Sequence, residues 1–295
     1  MLKVPARDFG STGFKVSAVG LGCGQIGHHD VPDSQVETLL NYAYENGITL
    51  FDTARGYGLS EERLGRFIKD KRDRIILSTK VGYGIEGVPD WTFRAITDGV
   101  DEALKRMNTD YIDIVHLHSC SFDLVENNGL AEALLRTKHE GKIRAAAYSG
   151  ENEDLSRAIK SGFFDSIQTS VNITDQRSLL HYLSLAEIEN MGIIAKRPLA
   201  NVFWKHKDRP YNEYSETYWL RWKEMNLNID MDMNELATRF SVFAKGVSSA
   251  ITGTSKMEHL QKNIENANKG SLPEEITNLL IETFKAKDNN WRGDT

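Results

Sequence analysis

Eight times along this chain, a short run rich in apolar and β-branched residues gives way to a longer stretch with helical spacing. The runs start near positions 19, 48, 74, 111, 143, 166, 192 and 248. Strand-then-helix alternation specifies a parallel sheet, because a parallel neighbour is reached only through a crossover. Eight such units in roughly 250 residues is the size at which the sheet closes on itself, so the expected fold is a (β/α)8 barrel. No linker-like stretch interrupts the alternation, which predicts one domain over 1–295. The units share no sequence repeat, which argues against a solenoid.

Helices are expected over about 35–46, 61–70, 92–107, 128–140, 153–161, 178–190, 234–244 and 256–267. The third shows the pattern best, with Phe93, Ile96, Val100, Ala103, Leu104 and Met107 on one face. Asp33 or Ser34 is read as the cap of the first helix and Ser60 as the cap of the second. A hairpin over about 7–17, turning at Gly10-Ser11-Thr12-Gly13, precedes the first unit. An extra helix over about 273–285 and a polar tail follow the last. The segment 200–232 has no clean period. It holds Trp204, Tyr211, Tyr214, Tyr218, Trp219 and Trp222, with a short helix expected near 214–224.

Charge and composition narrow the partners. Lys and Arg number 36 against 42 Asp and Glu, a net charge of −6, which disfavours nucleic acid and anionic membranes. No run of about 18 apolar residues occurs, so no membrane span is expected. The first residues lack the apolar core of a signal peptide, which makes a cytoplasmic location the expectation. Cys23 and Cys120 lie far apart without metal-type spacing, as free thiols in a reducing compartment would. Arg292-Gly293-Asp294 is read as a chance tripeptide.

In a barrel of this kind the chemistry sits at the C-terminal ends of the strands. The second strand delivers Asp52 there, with Tyr57 five residues on; the third delivers Lys80 and the fourth His118. Tyrosine is a weak acid, with a reference pKa of about 10, and a neighbouring ammonium stabilises its phenolate. Lys80 is suited to that task, and Asp52 to holding a buried Lys80 charged and in place. His118 can polarise a carbonyl from across the pocket. The set fits protonation of an oxygen on which negative charge builds. Each residue has an ordinary alternative: a turn for Asp52, packing for Tyr57, a solvated strand end for Lys80.

His116 and His118 share a face, which opens a second reading as a metal pair in a barrel hydrolase. It lacks further ligands at strand exits, so no metal is expected, and His116 is read as an inward polar neighbour. His28-His29 is read as solvated loop. Near the end of the chain, Gly253-Thr254-Ser255-Lys256 runs from a strand into a helix start, where backbone amides favour an anion.

The segment Phe51-Asp52-Thr53-Ala54-Arg55-Gly56-Tyr57-Gly58-Leu59-Ser60-Glu61 resembles the aldo-keto reductase family. So do Ser78-Thr79-Lys80-Val81-Gly82 and Asp110-Tyr111-Ile112-Asp113 leading to His118. The resemblance spans nearly the whole chain. It implies a carbonyl reductase with the tetrad Asp52, Tyr57, Lys80 and His118, Tyr57 being the general acid. It implies a nicotinamide cofactor, usually NADPH with NADH possible, and a small aldehyde or ketone substrate. It carries Ser149 and Gln168 over to the nicotinamide amide, with Asn172 just beyond. It carries Gly253, Thr254, Ser255 and Lys256 over to the pyrophosphate and 2′-phosphate. Gly22, Pro198, Leu199, His259 and Asn263 join the expected cofactor contacts. Four positions depart from the family pattern: Gly150 replaces a common asparagine, Lys196 an aromatic that stacks on the nicotinamide, His259 an arginine near the adenosine phosphate, and Lys262 a glutamate. Lys256, with His259, favours NADPH. A non-catalytic nicotinamide sensor on the same fold is the rival within the family, and a monomer is the expected state. Arg55 is open between solvent and an anionic substrate.

Overall fold

The computed structural model describes residues 3–293. Two short antiparallel strands, β1 (Ala6–Asp8) and β2 (Lys15–Ser17), form the N-terminal hairpin. Eight parallel strands then close into a barrel. In chain order the elements are β3 (Val19–Gly22), α1 (Asp33–Glu45), β4 (Leu50–Asp52), α2 (Ser60–Phe67), β5 (Ile76–Val81), α3 (Phe93–Arg106) and β6 (Ile112–His118). There follow α4 (Phe122–Asn127), α5 (Leu130–His139), β7 (Ile143–Ser149), α6 (Asn152–Lys160), β8 (Ser166–Ser170), α7 (Arg177–His181), α8 (Leu183–Ile188) and β9 (Gly192–Lys196). The chain ends with α9 (Glu216–Met225), α10 (Met233–Val242), β10 (Ser249–Gly253), α11 (Met257–Asn268) and α12 (Glu274–Lys287). β10 pairs with β3 and β9, which completes the closure.

Alternation along each strand sorts the core into two shells. Leu21, Phe51, Leu77, Val115, Ala146, Ile167 and Ile193 face out and pack beneath the helices. Leu50, Ile76, Ile114, Ala145, Ala147 and Ile194 face in, and Phe9, Phe14 and Val16 of the hairpin region close on them. The hairpin is therefore the floor of the barrel. Gly192 shows how close that floor sits: a Cβ there would stand 2.4 Å from the Phe9 ring.

Several elements differ locally from the sequence expectation, each for a tertiary reason. The second helix begins at Ser60 with Leu59 before it, and Ser60 does not cap. Its hydroxyl donates to Cys23 O and accepts from Thr53 Oγ1, tying the helix start to β3 and β4. Neither Asp33 nor Ser34 caps α1; Pro32 precedes it, and the Asp33 carboxylate is held by Arg63 and Arg66. The second helix stops at Phe67, and a 3-10 stretch, Lys69–Arg74, leads to a strand that starts at Ile76. Lys80 is thus inside its strand rather than at the exit. The helix expected over 128–140 is α5, and a short helix that was not expected, α4, precedes it, set off by Gly129 at φ +63°. A break at Tyr182 likewise divides 178–190 into α7 and α8. In 200–232 a 3-10 stretch, Ala200–Lys205, precedes α9, and Phe203, Trp204, Tyr218, Trp219 and Trp222 cluster under it. Asp294 of the Arg-Gly-Asp tripeptide lies outside the described residues. Among the described residues, no helix is long and apolar enough to cross a membrane. Cys23 and Cys120 are free and buried.

The floor contact is open to test. Gly192→Ala drives a methyl into the Phe9 ring, and overpacking of this kind costs about 1–3 kcal/mol. Urea denaturation should show the loss, and pairing the change with Phe9→Leu should recover part of it.

Candidate active site

The inward positions change character along the barrel axis. At the floor they are apolar; two residues further along each strand they become polar. Leu50 gives way to Asp52, Ile76 to Ser78 and Lys80, Ile114 to His116 and His118, Ala147 to Ser149, and Ile194 to Lys196. Strand register sets them side by side: Asp52 is level with Ser78, Lys80 with His116, His118 with Ser149, and Ser149 with Gln168. Parity and register therefore build a polar layer above an apolar plug.

At its centre is a fully buried ion pair. Lys80 Nζ donates to Asp52 Oδ2 at 2.6 Å and to Thr53 O at 2.7 Å. The other Asp52 oxygen, Oδ1, accepts from Ser78 Oγ at 2.7 Å and from Gln168 Nε2 at 3.0 Å. Burial alone would push the Lys80 ammonium below the ordinary lysine range, but Asp52 beside it reverses the direction and holds it above. Burial likewise opposes the Asp52 charge, and Lys80, with the Lys80 and Ser78 hydrogen bonds, keeps the carboxyl below its ordinary range. Ser78 Oγ, already donating to Asp52, accepts from His116 Nε2 at 3.1 Å. That bond engages His116 in the layer, as its inward reading requires. Among the described residues, no three His, Cys, Asp or Glu side chains are grouped to hold a metal ion.

Tyr57 reaches this layer from the loop between β4 and α2. The loop is seated on the 3-10 turn Gln25–Gly27, with Leu59 N donating to Gly27 O at 3.0 Å. The fit needs glycine on both sides. A Cβ on Gly27 would stand 1.7 Å from Tyr57 O, and one on Gly58, at φ +54°, would stand 2.4 Å from Gly27 O. The Lys80 ammonium is 5.4 Å from the centre of the Tyr57 ring. The His118 ring meets that ring edge-on, 6.1 Å between centres. Tyr83 stacks on His118 and shares a 2.9 Å hydrogen bond with its Nδ1. Burial first, then the charges of Lys80 and Lys196, pushes the His118 imidazole down to about 3, so it is neutral at physiological pH.

All four expected catalytic residues line one cavity of about 1110 Å³, with Gly22, Ser149, Gln168, Pro198, Leu199 and Gly253. Thr254, Ser255, Lys256, His259 and Asn263 lie beyond its lining, where β10 leads into α11. Thr254 Oγ1 accepts from Lys256 N at 2.9 Å, and His259 Nδ1 lies 3.4 Å from the same oxygen. Lys256 and His259 are exposed, whereas Asn263 is buried and accepts from Asn234. Lys262 pairs with Asp232. Asn172 is used within its own turn, bonded to Thr174 and Arg197 O, and does not line the cavity. Arg55 has neither of its expected roles: it pairs with Glu102 at 2.8 Å and donates twice to Gly84 O, pinning two loops together. His28 and His29 are exposed, as a solvated loop would be, and stand at the cavity wall.

Other wall residues escaped the sequence reading. Gln25, Ser119, Arg197, Asn201 and Val202 line the cavity, as does Tyr214 from the aromatic segment. Cys120 and Phe122, in the stretch that follows β6, do not line the cavity and pack against Tyr148. The largest omission is a second buried ion pair, Lys196 Nζ to Glu151 Oε1 at 3.3 Å. Glu151 also accepts from Thr169 Oγ1 and from Ser170 N and Oγ. An acidic residue two positions beyond a strand exit was the available signal.

Comparison with known proteins decides the family. The profile of the Aldo/keto reductase family matches residues 18–282. The chain belongs to the aldo-keto reductase family. Its members are oxidoreductases of carbonyl compounds and in general use nicotinamide cofactors. The chain is 31% identical to the uncharacterized oxidoreductase YqkF of Bacillus subtilis, covering 93% of this chain and 94% of that one. It is 28% identical to the L-galactose dehydrogenase of Arabidopsis thaliana, covering 90% and 88%. The holo form of the Bacillus halodurans aldo-keto reductase AKR11C1 superposes with a TM-score of 0.81 at 26% identity, covering 96% of each chain.

The residues of this aldo-keto reductase fit a nicotinamide dinucleotide. At about 1110 Å³ the cavity is at the upper end of ligand sites, which run to about 1,000 Å³. Gly22 and Gly253 line it without side chains, and a Cβ on Gly253 would meet Gln25 Oε1 at 2.4 Å.

Two measurements check this electrostatic account. Burial, opposed by Asp52 and reinforced by Lys80 and Lys196, holds His116 down to about 3, as it does His118. Histidine in the unfolded chain takes up a proton near pH 6.5, while the folded imidazoles do so near 3. Stability should therefore fall as pH drops from about 6.5 towards 3. Urea midpoints across that range should show the slope, and His116→Gln should flatten it. Separately, Lys80→Met leaves Asp52 charged and alone, a loss of about 3–5 kcal/mol, which Asp52→Asn in the same chain should largely restore.

Proposed function

We propose that this aldo-keto reductase reduces small aldehydes or ketones, with Tyr57 as the general acid. The observation that carries the reading is the convergence of Tyr57, Lys80, Asp52 and His118 on one cavity wall. The reduced nicotinamide, when bound, supplies a hydride to the carbonyl carbon. Tyr57 gives its proton to the carbonyl oxygen as negative charge develops there. Lys80, kept cationic by Asp52, stabilises the phenolate left behind. We assign Tyr83 O–H as the donor in its 2.9 Å bond with His118 Nδ1, which leaves the proton of the neutral imidazole on Nε2 for the same carbonyl oxygen. A neutral donor suits this task, since a further cation with no carboxylate partner of its own would be costly in so buried a layer.

Ser149 and Gln168 are the proposed anchors of the nicotinamide amide, with Gly22, Pro198 and Leu199 against the ring and its ribose. Gly253, Thr254 and Ser255 receive the pyrophosphate at the start of α11, with Asn263 beyond. Lys256 and His259, both exposed there, favour the 2′-phosphate of NADPH over NADH, with Glu258 in the first turn opposing. The polar wall of Tyr83, Ser119, Arg197, Asn201 and Tyr214 suits a hydroxylated carbonyl compound, in keeping with the relative named L-galactose dehydrogenase.

Tyr57→Phe should lower kcat/KM for a generic aldehyde by about 10²–10⁴, the usual worth of a general acid. NADPH binding, followed by fluorescence, should be unchanged. Near-normal turnover in the variant removes Tyr57 from the role.

A further inference from the structure

The polar layer holds two lysines. Lys80 belongs to the proton-donating cluster; Lys196 belongs to nothing in that mechanism. It ends β9 and reaches sideways past Gln168 to the end of β7. There its ammonium lies 3.4 Å from Ser149 Oγ and 3.3 Å from Glu151 Oε1. Its side chain is 12% exposed and that of Glu151 only 1%. Lys196 lines the cavity and Glu151 does not. The pair is therefore a fixed dipole with its positive end towards the ligand and its negative end sealed behind. Three hydrogen bonds from Thr169 and Ser170 lock the carboxylate in that orientation.

Ser149 ties this dipole to the cofactor. Its hydroxyl donates to Gln168 Oε1 at 3.4 Å, and these two are the proposed anchors of the nicotinamide amide, a reading on which this inference rests. The ring then lies within a few ångströms of the ammonium. The oxidised nicotinamide ring carries a positive charge and the reduced ring is neutral, so a nearby cation repels one and not the other. A low-dielectric, water-poor wall makes the difference larger than at a surface.

We propose that Lys196, held by Glu151, selects the redox state of the bound cofactor, favouring the reduced dinucleotide over the oxidised one. The consequence is functional. Oxidised product leaves more readily and competes less with fresh reductant, which biases the enzyme towards reduction.

Intrinsic tryptophan quenching measures binding of NADPH and NADP⁺ to the full chain without turnover. The wild type should bind NADPH more tightly than NADP⁺. Lys196→Met should narrow the ratio of the two Kd values by about tenfold, mainly by tightening NADP⁺. Lys196→Arg, which keeps the charge, should retain the wild-type ratio. Removing Lys196 alone leaves Glu151 buried and unpaired. The double variant Glu151→Gln with Lys196→Met removes both charges, and it should show the same narrowing if the single variant fails to fold. If both dinucleotides bind and neither neutral variant changes the ratio, Lys196 is only a structural partner of Glu151 and the inference falls alone. If the wild type binds no nicotinamide dinucleotide, the cofactor reading falls and takes this inference with it.

Discussion

The Lys80–Asp52 ion pair is the constraint around which the upper half of this barrel is arranged. A lone ammonium or carboxylate at that depth is untenable, since each costs several kcal/mol to desolvate. The structure meets that cost by filling the remaining valences. Asp52 accepts from Lys80, Ser78 and Gln168, and Lys80 donates to a backbone carbonyl as well. These partners sit on β4, β5 and β8, so the pair is stable only while the barrel is closed and its register correct. A slip of one residue in β5 would turn Lys80 into the outer apolar shell. Fold and site are in this sense one requirement: the geometry that lets Lys80 stay charged is the geometry that brings it under Tyr57.

The plug beneath makes that layer possible. Phe9 and Phe14 fill the lower barrel, so its inward residues can be apolar where the hairpin enters. Polar side chains are thereby displaced upward, two residues along each strand, to where the loops bring the ligand. Gly192 is the mark of this arrangement: the backbone of β9 approaches the Phe9 ring too closely for any side chain. The loop carrying Tyr57 repeats the logic above, with Gly27 and Gly58 allowing two backbones to touch so that one ring is placed.

Alternation and strand-exit chemistry made the barrel and the four converging residues legible in the sequence. What escaped depends on contacts between distant segments. Ser60 has the composition of a cap, yet its hydroxyl donates to Cys23 O, 37 residues back in the chain and outside any local window. Arg55 sits beside Tyr57 in the chain and was open to a role in binding, but Glu102 and Gly84, on a later loop and helix, claim all of its guanidinium. The break at Tyr182 is local, but the surrounding pattern stays helical on both sides and hides it. The aromatic segment 200–222 has no period because its rings pack on one another and only Tyr214 turns to the cavity.

The two lysines of the layer show how little residue type says about charge behaviour. Both are nearly buried and each has one carboxylate partner. Lys80 stands 2.6 Å from Asp52 with a carbonyl opposite, and its hold on the proton is strengthened beyond the ordinary. Lys196 stands 3.3 Å from Glu151, and its hold is weakened: burial comes first, Glu151 opposes it, and the cations Arg197 and Lys80 add to it. The difference lies in contact distance and in which neighbours share their own charge. Glu151 divides its oxygens among Thr169, Ser170 and Lys196, whereas one oxygen of Asp52 serves Lys80 at contact distance. A site that needs one permanent cation and a second, more responsive one can build both from the same side chain, and here the spacing of two carboxylates sets them apart.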